Sequence, residues 1–215
     1  MRARVEPDIR PVGAVSGYSL LLTLIVAAGG LATLDWATDG WTTWTAESAR
    51  RNAILSNNTL LPDIQVQRET GLFSSLHDFD NPILVVDFIF TRCTTACMVM
   101  GYRFRQLQTL LGSSGHADKV QFLSFSFDPE HDGPEQLSAY LQRFSSKSGN
   151  WSALRIAERQ TLDELLGSLG IIVLPEPELG YVHNAAIYLV KNHQVVGIYN
   201  VDNTAELMDH LTSLI

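Results

Sequence analysis

Residues 12–34 (VGAVSGYSLLLTLIVAAGGLATL) form a run of 23 residues without a charged side chain. At 1.5 Å per residue a helix of this length is about 35 Å long, which is enough to cross a hydrocarbon core of about 30 Å. A buried helix of a soluble domain explains the run less well, because no polar face interrupts it. A cleaved signal peptide is an alternative, since the small residues at 27–30 would suit a cleavage site. The run therefore predicts a transmembrane anchor at 12–34.

The charges on either side of this run predict its orientation. Arg2, Arg4 and Arg10 precede it, and the next basic residue is Arg50. Because basic flanks remain in the cytoplasm, residues 1–11 are expected to be cytoplasmic at a bacterial inner membrane, with the following domain periplasmic or otherwise extracytoplasmic. Tryptophans after the run suit an aromatic belt at the outer interface, or packing on the domain. They are Trp36, Trp41 and Trp44.

The net charge of the chain limits the kinds of molecule that it is expected to bind. The chain carries −8 at pH 7 with a pI near 5.1, which argues against nucleic-acid binding. Residues 1–11 carry +1, so the remainder carries about −9 and is predicted to suit basic partners. Cysteine occurs twice, which permits one internal bridge and excludes a disulfide scaffold.

Beyond the anchor, the sequence predicts a connector at 35–60 and one domain at 61–215. The connector contains a helix pattern from Thr45, a possible N-cap, to about Ser56. The domain opens with a hairpin that turns at Thr70-Gly71 and continues with ILVVDFIF, which is typical of a strand buried on both faces. An apolar stripe then predicts a helix. Its members are Met100, Phe104, Leu107 and Leu111.

The rest of the domain alternates strand and helix patterns. The segments are a strand at 119–127, a helix from Pro134, a strand ALRIA, a helix ending at Gly170, a hairpin around Lys191–Gln194 and a C-terminal helix. Alternation of this kind predicts an α/β protein with a mostly parallel sheet covered on both faces. The order predicts a thioredoxin-like fold with an extra N-terminal β-hairpin, preceded by a single transmembrane helix.

Cys93 and Cys97 stand where the first buried strand gives way to a helix. Cys93 falls at the carboxyl edge of the predicted sheet, where ligands and catalytic groups gather, and this edge suits inert buried thiols poorly. Cys97 is expected in the first turn of the helix, where the dipole and unpaired N–H groups favour a thiolate. Residues four apart share a helix face, and their Cα separation of about 6 Å also permits a disulfide. The spacing thus leaves a redox couple and a pair of metal ligands both open.

Three stretches, in this order, resemble the SCO/SenC family: DFIFTRCTTAC, FLSFSFDPEHDGPEQLSAYLQRF and GYVHNAAIYLV. The likeness covers roughly Pro62–Ile215, and the N-terminal anchor also matches. Members are membrane-anchored, thioredoxin-like copper proteins needed to assemble cytochrome c oxidase. The family pattern, Cys-x-x-x-Cys with a distant histidine, falls on Cys93, Cys97 and His183. The resemblance therefore implies that these three residues are metal ligands.

Two positions depart from the family pattern without removing a ligand. Many members have proline directly after the first cysteine, whereas this chain has Thr94. Many also have an acidic residue directly before the histidine, whereas this chain has Val182.

Two thiolates and an imidazole suit Cu(I) and can also hold Cu(II), whereas structural zinc requires a fourth ligand. Met98 or Met100 could supply a thioether, but both positions fit the core or its rim better.

His131 and two aspartates, Asp128 and Asp132, lie in the second of the three stretches. His131, in DPEHDGP, is the alternative ligand because its loop lies at the carboxyl edge of the sheet. Asp128 and Asp132 suit helix capping and turn formation before Pro134, with a place near the metal or in steering a partner as the alternative. The remaining histidines are expected at solvated turn or helix positions. They are His77, His116, His193 and His210.

The resemblance implies a copper chaperone rather than an enzyme. Such a protein receives copper from an upstream donor and passes it to the binuclear copper site on the copper-bearing subunit of a cytochrome c oxidase. The alternative is a thiol–disulfide reductase that uses Cys93 and Cys97 to keep the oxidase's copper-site cysteines reduced. Three residues between the cysteines, and Asn184 where thioredoxin-type enzymes have proline, argue against a general reductase. A thiol peroxidase and a metal-free structural subunit also fit the fold, but leave His183 or the thiols without a role.

Overall fold

The computed structural model describes residues 17–38, 40–41, 43–79, 81–144, 149–178 and 180–215. The predicted cytoplasmic segment, 1–11, and the start of the predicted anchor lie outside the described residues. The chain divides into two compact units, Met1–Ala49 and Arg50–Ile215. The boundaries proposed from the sequence for connector and domain remain predictions.

The first unit contains helix α1, Gly17–Ala37, which overlaps the predicted anchor. Its 21 residues carry a single charge, Asp35, near the C-terminal end, and none of its side chains is buried. Within the described part of the chain, α1 is the one helix long and apolar enough to cross a membrane. The helix is therefore a candidate membrane span.

The remaining elements alternate as the sequence pattern predicts. The other helices are α2 (Ala46–Ser56), α3 (Ala96–Ser113), α4 (Pro134–Arg143), α5 (Arg159–Ser168) and α6 (Thr204–Leu214). The strands are β1 (Gln65–Arg68), β2 (Phe73–Ser75), β3 (Ile83–Ile89), β4 (Val120–Ser126), β5 (Trp151–Arg155), β6 (Val173–Glu176), β7 (Gly180–His183), β8 (Ile187–Lys191) and β9 (Gln194–Tyr199). Short 3₁₀ turns occupy Leu76–Asp78 and Ala117–Lys119.

Seven strands form one mixed sheet in the order β2-β1-β5-β4-β3-β8-β9. The three central strands, β5, β4 and β3, are parallel, and an antiparallel hairpin flanks them on each side. Every residue of β3 is buried, as its nearly continuous apolar pattern predicts, and so is every residue of β4, including Gln121, Ser124 and Ser126. The parallel strands end together at one edge, and the thiols follow β3 there. The predicted thioredoxin-like architecture with an additional hairpin, β1–β2, is confirmed.

Helices cover both faces of this sheet. On one face Phe104 of α3 packs against Phe122 of β4 and Trp151 of β5, with ring centroids 5.2 and 5.5 Å apart. On the other face the Tyr188 hydroxyl of β8 donates to the carbonyl oxygen of Leu169, directly after α5, at 2.8 Å. Since successive side chains of a strand alternate between faces, each residue of β3 faces one helical layer or the other.

Strands β6 and β7 pair with each other in a separate two-stranded sheet. Their register places Val173 opposite His183 and Leu174 opposite Val182. His183 therefore ends strand β7, in a hairpin that the sequence pattern does not predict. The sequence pattern misses this hairpin because its strands have four residues each and β6 contains Pro175, so that packing on the domain, and not local propensity, stabilises them.

Three of the histidines expected at solvated positions make specific contacts. His77 stacks on His193 with ring centroids 3.8 Å apart, and His210 is hydrogen-bonded to the Tyr199 hydroxyl. His116 precedes the second 3₁₀ turn, and all four rings belong to half-buried residues. The four histidines do lie in or directly before turns or helices, as predicted. His77, His193 and His210 are not fully solvated, because tertiary packing gives each of them a contact that no local pattern shows.

Candidate metal centre

Residues 90–95 form the loop that carries Cys93, the thiol loop, and a buried carboxylate holds it in place. Asp132 is 0% exposed. It accepts hydrogen bonds from the Thr91 N–H at 2.9 Å, the Thr91 hydroxyl at 2.6 Å and the Ser126 hydroxyl at 2.6 Å. The N-cap of α4 is Gly133, so the expectation that this aspartate caps the helix is wrong. Asp132 instead fixes the start of the thiol loop, which a buried carboxylate with three donors can do rigidly.

A second carboxylate links the thiol loop to the β6–β7 hairpin. Asp128 forms an ion pair with Arg92 of the loop, with Nη2 and Oδ2 2.6 Å apart. The Tyr181 hydroxyl of β7 donates to the other Asp128 oxygen at 3.5 Å. Asp128 does not cap the helix, but its backbone carbonyl accepts from the His131 and Asp132 N–H groups at 3.1 and 2.9 Å, so it opens the turn before α4 as predicted. Its side chain connects the two segments that carry the candidate ligands.

Both cysteines are free and buried, with exposed fractions of 8% for Cys93 and 2% for Cys97. Cys97 lies in the first turn of α3, as predicted, and its backbone N–H donates to the Cys93 sulfur at 3.3 Å. The Thr95 hydroxyl lies 3.8 Å from the same sulfur. The helix N-terminus thus points its unpaired donors at Cys93, which stabilises a thiolate there.

The two thiols differ sharply in acidity. A hydrogen bond from the Cys97 thiol lowers the pKa of Cys93 to about 5. The same hydrogen bond, together with burial, raises the pKa of Cys97 well above its ordinary value. At pH 7 the pair therefore consists of a Cys93 thiolate and a Cys97 thiol. A thiolate is the form that attacks disulfides and binds soft metals.

This difference predicts the pH dependence of alkylation. The rate at which a small alkylating reagent modifies Cys93 is expected to follow a titration with its midpoint near pH 5. Cys97→Ala removes the hydrogen-bond donor and should raise the midpoint toward about 8.5, the ordinary value for cysteine. Thr95→Ala is the matched control and should move it less. Mass spectrometry of the modified chain measures the rate, and a midpoint near 8.5 in the unmodified sequence would contradict the assignment.

His183 is brought to the thiol loop by an aromatic cluster. The Tyr181 ring of β7 packs edge-on against Phe90 and Phe127, with centroids 5.4 and 5.6 Å away. The His183 ring packs against Phe127 in the same way, at 5.0 Å. Because Phe90 opens the thiol loop, this packing sets the histidine beside it. Burial lowers the pKa of His183, and the Cys93 thiolate opposes that shift, so the imidazole is neutral at pH 7.

Both ring nitrogens of His183 are buried without a hydrogen-bond partner among the described residues. Buried polar atoms are rarely left in this state. Across the same part of the chain, no three His, Cys, Asp or Glu side chains form a ready-made metal site. The structure therefore packs His183 against Phe127, where the charge of Cys93 acts on it, but does not assemble the three predicted ligands into one cluster among the described residues. A neutral imidazole with a free nitrogen and two sulfurs is nevertheless a donor set that fits copper.

Asn184 closes the base of the hairpin. In the sequence it is notable only because it stands where thioredoxin-type enzymes have proline. The Asn184 side-chain oxygen accepts from the Ile172 N–H at 2.6 Å, and its amide nitrogen donates to the Gly170 carbonyl at 3.1 Å. These two bonds fix the strand end at which His183 lies. No local sequence pattern identifies this role of Asn184, because it depends on tertiary contacts with Gly170 and Ile172 that a single sequence does not show.

Asn184→Ala is expected to loosen the hairpin and to destabilise the protein by roughly 1–2 kcal/mol, since two hydrogen bonds of about 0.5–1.5 kcal/mol each are lost. Amide hydrogen exchange in β6 and β7 should accelerate more than exchange in β3. Asn203→Ala is the control, because the Asn203 amide donates to an exposed carboxylate, that of Glu206. Equal exchange in β6–β7 for the Asn184 variant and the parent chain would show that Asn184 does not hold the hairpin.

The alternative ligands named from the sequence lie in less suitable surroundings. His131 is exposed in the turn before α4. Met100 is 2% exposed and belongs to the core, as its place in the apolar stripe predicts. Met98 is half-buried and packs against the same core. Cys93, Cys97 and His183 remain the candidate ligands.

Comparison with known proteins identifies the family. The model of the family described as SCO1/SenC matches residues 56–215. The chain belongs to the SCO1/SenC family. A curated relative, the SCO1 protein homolog of Bacillus subtilis (strain 168), is 32% identical over 142 residues, which cover 64% of this chain and 72% of the relative. The resemblance inferred from the three sequence stretches is confirmed.

Solved structures of SCO1/SenC proteins share the fold. A SCO1/SenC family lipoprotein from Bacillus anthracis str. Ames superposes with a TM-score of 0.67 at 26% identity, covering 73% of this chain and 95% of that one. BsSco, a member of the Sco family of cytochrome c oxidase assembly proteins with a disulfide switch, gives 0.62 at 27%, with coverage of 73% and 93%. Copper-bound ScoI from Bradyrhizobium japonicum gives 0.61 at 19%, with coverage of 73% and 99%, and shows the fold alone.

Proposed function

We propose that this chain is a copper metallochaperone rather than an enzyme, and that Cys93, Cys97 and His183 bind the copper ion it carries. The observation that carries the proposal is the environment of His183, whose two buried nitrogens have no hydrogen-bond partner in the described part of the chain. Leaving such atoms unpaired costs free energy. A soft ion bound beside the thiolate would give one of them a partner. Copper is bound in solved structures of Bradyrhizobium japonicum ScoI and yeast Sco1, which share this fold, so the fold can accommodate the proposed metal.

The chemistry of the thiol pair suits transient binding. Cys93 is already a thiolate at pH 7, so binding of Cu(I) or Cu(II) has to displace a proton only from Cys97. Among the described strands, β6 and β7 pair only with each other, so the hairpin that carries His183 can adjust without breaking the main sheet. Three ligands at a sheet edge leave the ion open to ligand exchange, in which an incoming donor replaces one ligand at a time.

The partner that fits this cargo is an oxidase under assembly. BsSco, at 27% identity, belongs to a family of cytochrome c oxidase assembly proteins. We infer that this chain receives copper from an upstream donor and delivers it to the binuclear copper site of the oxidase's copper-bearing subunit. The inferred location is the bacterial inner membrane, with α1 as a single-pass anchor, the N-terminus cytoplasmic and the domain outside, where that copper site is assembled.

One observation favours a second candidate, a thiol–disulfide reductase that keeps the oxidase's copper-site cysteines reduced. A Cys93 thiolate with a pKa of about 5, hydrogen-bonded to a buried Cys97, is the arrangement of an attacking and a resolving thiol. BsSco has a disulfide switch, which supports this candidate also. The imidazole of His183, buried and without a hydrogen-bond partner in the described ranges, has no part in it, so the chaperone remains the better fit.

A transfer assay separates the two functions. The full-length chain in detergent is loaded anaerobically with copper and mixed with the metal-free copper-binding domain of an oxidase subunit whose cysteines are reduced. The appearance of the binuclear copper spectrum measures delivery. His183→Ala should lower the copper affinity by about 100-fold or more, because even the loss of a supporting partner of a ligand costs 10–100-fold. His131→Ala, at an exposed histidine, is the matched control.

Delivery by the parent chain and by the His131 variant, but not by the His183 variant, would support the chaperone. In a parallel arm the metal-free chain meets the same domain with its cysteines oxidised. Reduction of that disulfide, together with unchanged copper binding in the His183 variant, would contradict the chaperone and establish the reductase.

A further inference from the structure

The β6–β7 hairpin has two different faces. Tyr181 and His183 pack inward on the aromatic cluster beside the thiol loop, so Val182, which lies between them on β7, faces the opposite way. Leu174 of β6 is paired with Val182 and shares this outer face. The exposed fraction is 59% for Leu174, 48% for Val182 and 53% for Ile172, directly before β6. The outer face of the hairpin is therefore apolar and open to solvent.

The exposed side chains of the outer face lie together. Single exposed apolar residues are common on protein surfaces, but cross-strand partners such as Leu174 and Val182 are immediate neighbours and form a patch. Patches of this kind mark sites of interaction. The strand that carries Val182 ends at His183, the candidate metal ligand. A molecule bound on the outer face is therefore held next to the candidate metal centre.

The backbone edge of β7 is also open. Strands β6 and β7 form a sheet of their own, and within the described ranges no backbone hydrogen bond joins β7 to a residue outside the hairpin. An open edge of this kind can pair with an extended segment of another chain, which then becomes an additional strand. The edge of β6 is less suitable, because Pro175 has no N–H to donate. Strand addition is therefore favoured at β7.

The charge around the hairpin selects the kind of partner. Residues 158–184, which contain α5 and the hairpin, carry five carboxylates and one arginine, a net charge of −4 with histidine neutral. Two of the carboxylates, Glu176 and Glu178, lie at the turn of the hairpin and form its acidic tip. This charge repels a second copy of the chain, which carries −8, and an anionic lipid surface. It attracts a polypeptide that carries basic residues.

We propose that the outer face of the hairpin and the edge of β7 are the docking surface for the protein that receives the copper. The partner presents an extended segment in which lysine or arginine flanks apolar residues. This segment adds to β7 as a third strand, its apolar side chains cover Leu174 and Val182, and its basic side chains lie near the acidic tip. The inference rests on the proposed function and names the surface at which delivery takes place.

The test measures copper delivery by the full-length chain in detergent at increasing concentrations of the metal-free, reduced copper-binding domain of an oxidase subunit. Leu174→Ser combined with Val182→Thr is expected to raise the concentration for half-maximal delivery by about tenfold or more, the range for lost interface side chains. The copper affinity and the maximal rate should not change. Leu72→Ser is the matched control, because Leu72 is 68% exposed in the turn between β1 and β2 and should have no effect.

The outcomes separate this inference from the proposed function. If the parent chain delivers no copper at any concentration of the domain, the proposed function is contradicted and the docking surface with it. If the parent chain and the double variant deliver copper with the same half-maximal concentration, the proposed function stands and the docking surface is overturned. A lower copper affinity in the double variant, or an equal effect of Leu72→Ser, also overturns it, because neither is specific to docking on the hairpin.

Amide hydrogen exchange in the parent chain locates the partner without any substitution. Addition of the same domain is expected to slow exchange in β7 and to leave exchange unchanged in β2, which is the edge strand of the main sheet. Unchanged exchange in β7 would overturn the proposal. Slower exchange in β7 without the domain, on reconstitution into anionic lipid or at a higher concentration of the chain, would assign the surface to the membrane or to a second copy and would also overturn it.

Discussion

Gly101→Ala is expected to destabilise the protein by roughly 2 kcal/mol or more, which is in the range of overpacked cores. A Cβ atom at this position of α3 would lie 2.2 Å from Cζ and 2.3 Å from Cε2 of the Phe144 ring. Phe144 is 0% exposed and its ring is stacked on Trp151 with centroids 5.6 Å apart, so it cannot swing aside. The gain in helix propensity from glycine to alanine, about 1 kcal/mol, is too small to compensate.

Gly112→Ala is the matched control on the same helix. Position 112 is exposed, and a Cβ there meets nothing within 4 Å among the described atoms. This variant should be more stable than the parent chain by about 0.5–1 kcal/mol. Urea unfolding of the three proteins, followed by near-ultraviolet circular dichroism, measures both effects. A Gly101 variant as stable as the Gly112 variant would show that α3 does not pack against Phe144 as described.

Cys97→Ser is expected to weaken Cu(I) binding by about 1,000-fold or more, a loss of about 4 kcal/mol. The hydroxyl is nearly the size of the thiol, so the buried first turn of α3 is retained, but oxygen is a poor ligand for a soft ion. Anaerobic competition with a chelator of known Cu(I) affinity measures the change. If Cys97→Ser binds Cu(I) as tightly as the parent chain does, Cys97 is not a copper ligand.

The control for this variant is Met98→Leu. Met98 is the half-buried neighbour of Cys97 and the available source of a thioether. The three-ligand assignment predicts that its replacement changes the Cu(I) affinity by less than about threefold. A loss comparable to that of Cys97→Ser would make Met98 a fourth ligand.

The sheet and the thiol turn follow from local signals. The run ILVVDFIF is apolar enough to predict a strand buried on both faces, and β3 is buried throughout. KVQFLSFSF predicts a strand, and β4 confirms it, but its complete burial does not follow from a run that contains Gln121, Ser124 and Ser126. Gly170 ends the α5 segment with a φ of +63°, as expected of a glycine after a helix. The place of Cys97 in the first turn of α3 follows from the same reasoning, because the apolar stripe sets the helix phase.

The site around the thiols depends on contacts that no local pattern contains. The β6–β7 hairpin has weak strand signals and is stabilised by Tyr181, whose partners lie more than 50 positions away in sequence. Asp87 is visible in the sequence as the one charge inside an apolar run. Among the described residues neither of its oxygens has a hydrogen-bond partner, whereas Asp132 accepts from three donors, and this contrast becomes apparent only when the layers of the fold are assembled.

The most direct test of the copper assignment is X-ray absorption at the copper edge of the copper-loaded, full-length chain. The assignment predicts two sulfur ligands and one imidazole in the parent chain and in His131→Ala, and retention of the sulfurs with loss of the imidazole in His183→Ala. A parent spectrum without imidazole scattering, or a His183→Ala spectrum that keeps it, would contradict the central role given to this histidine.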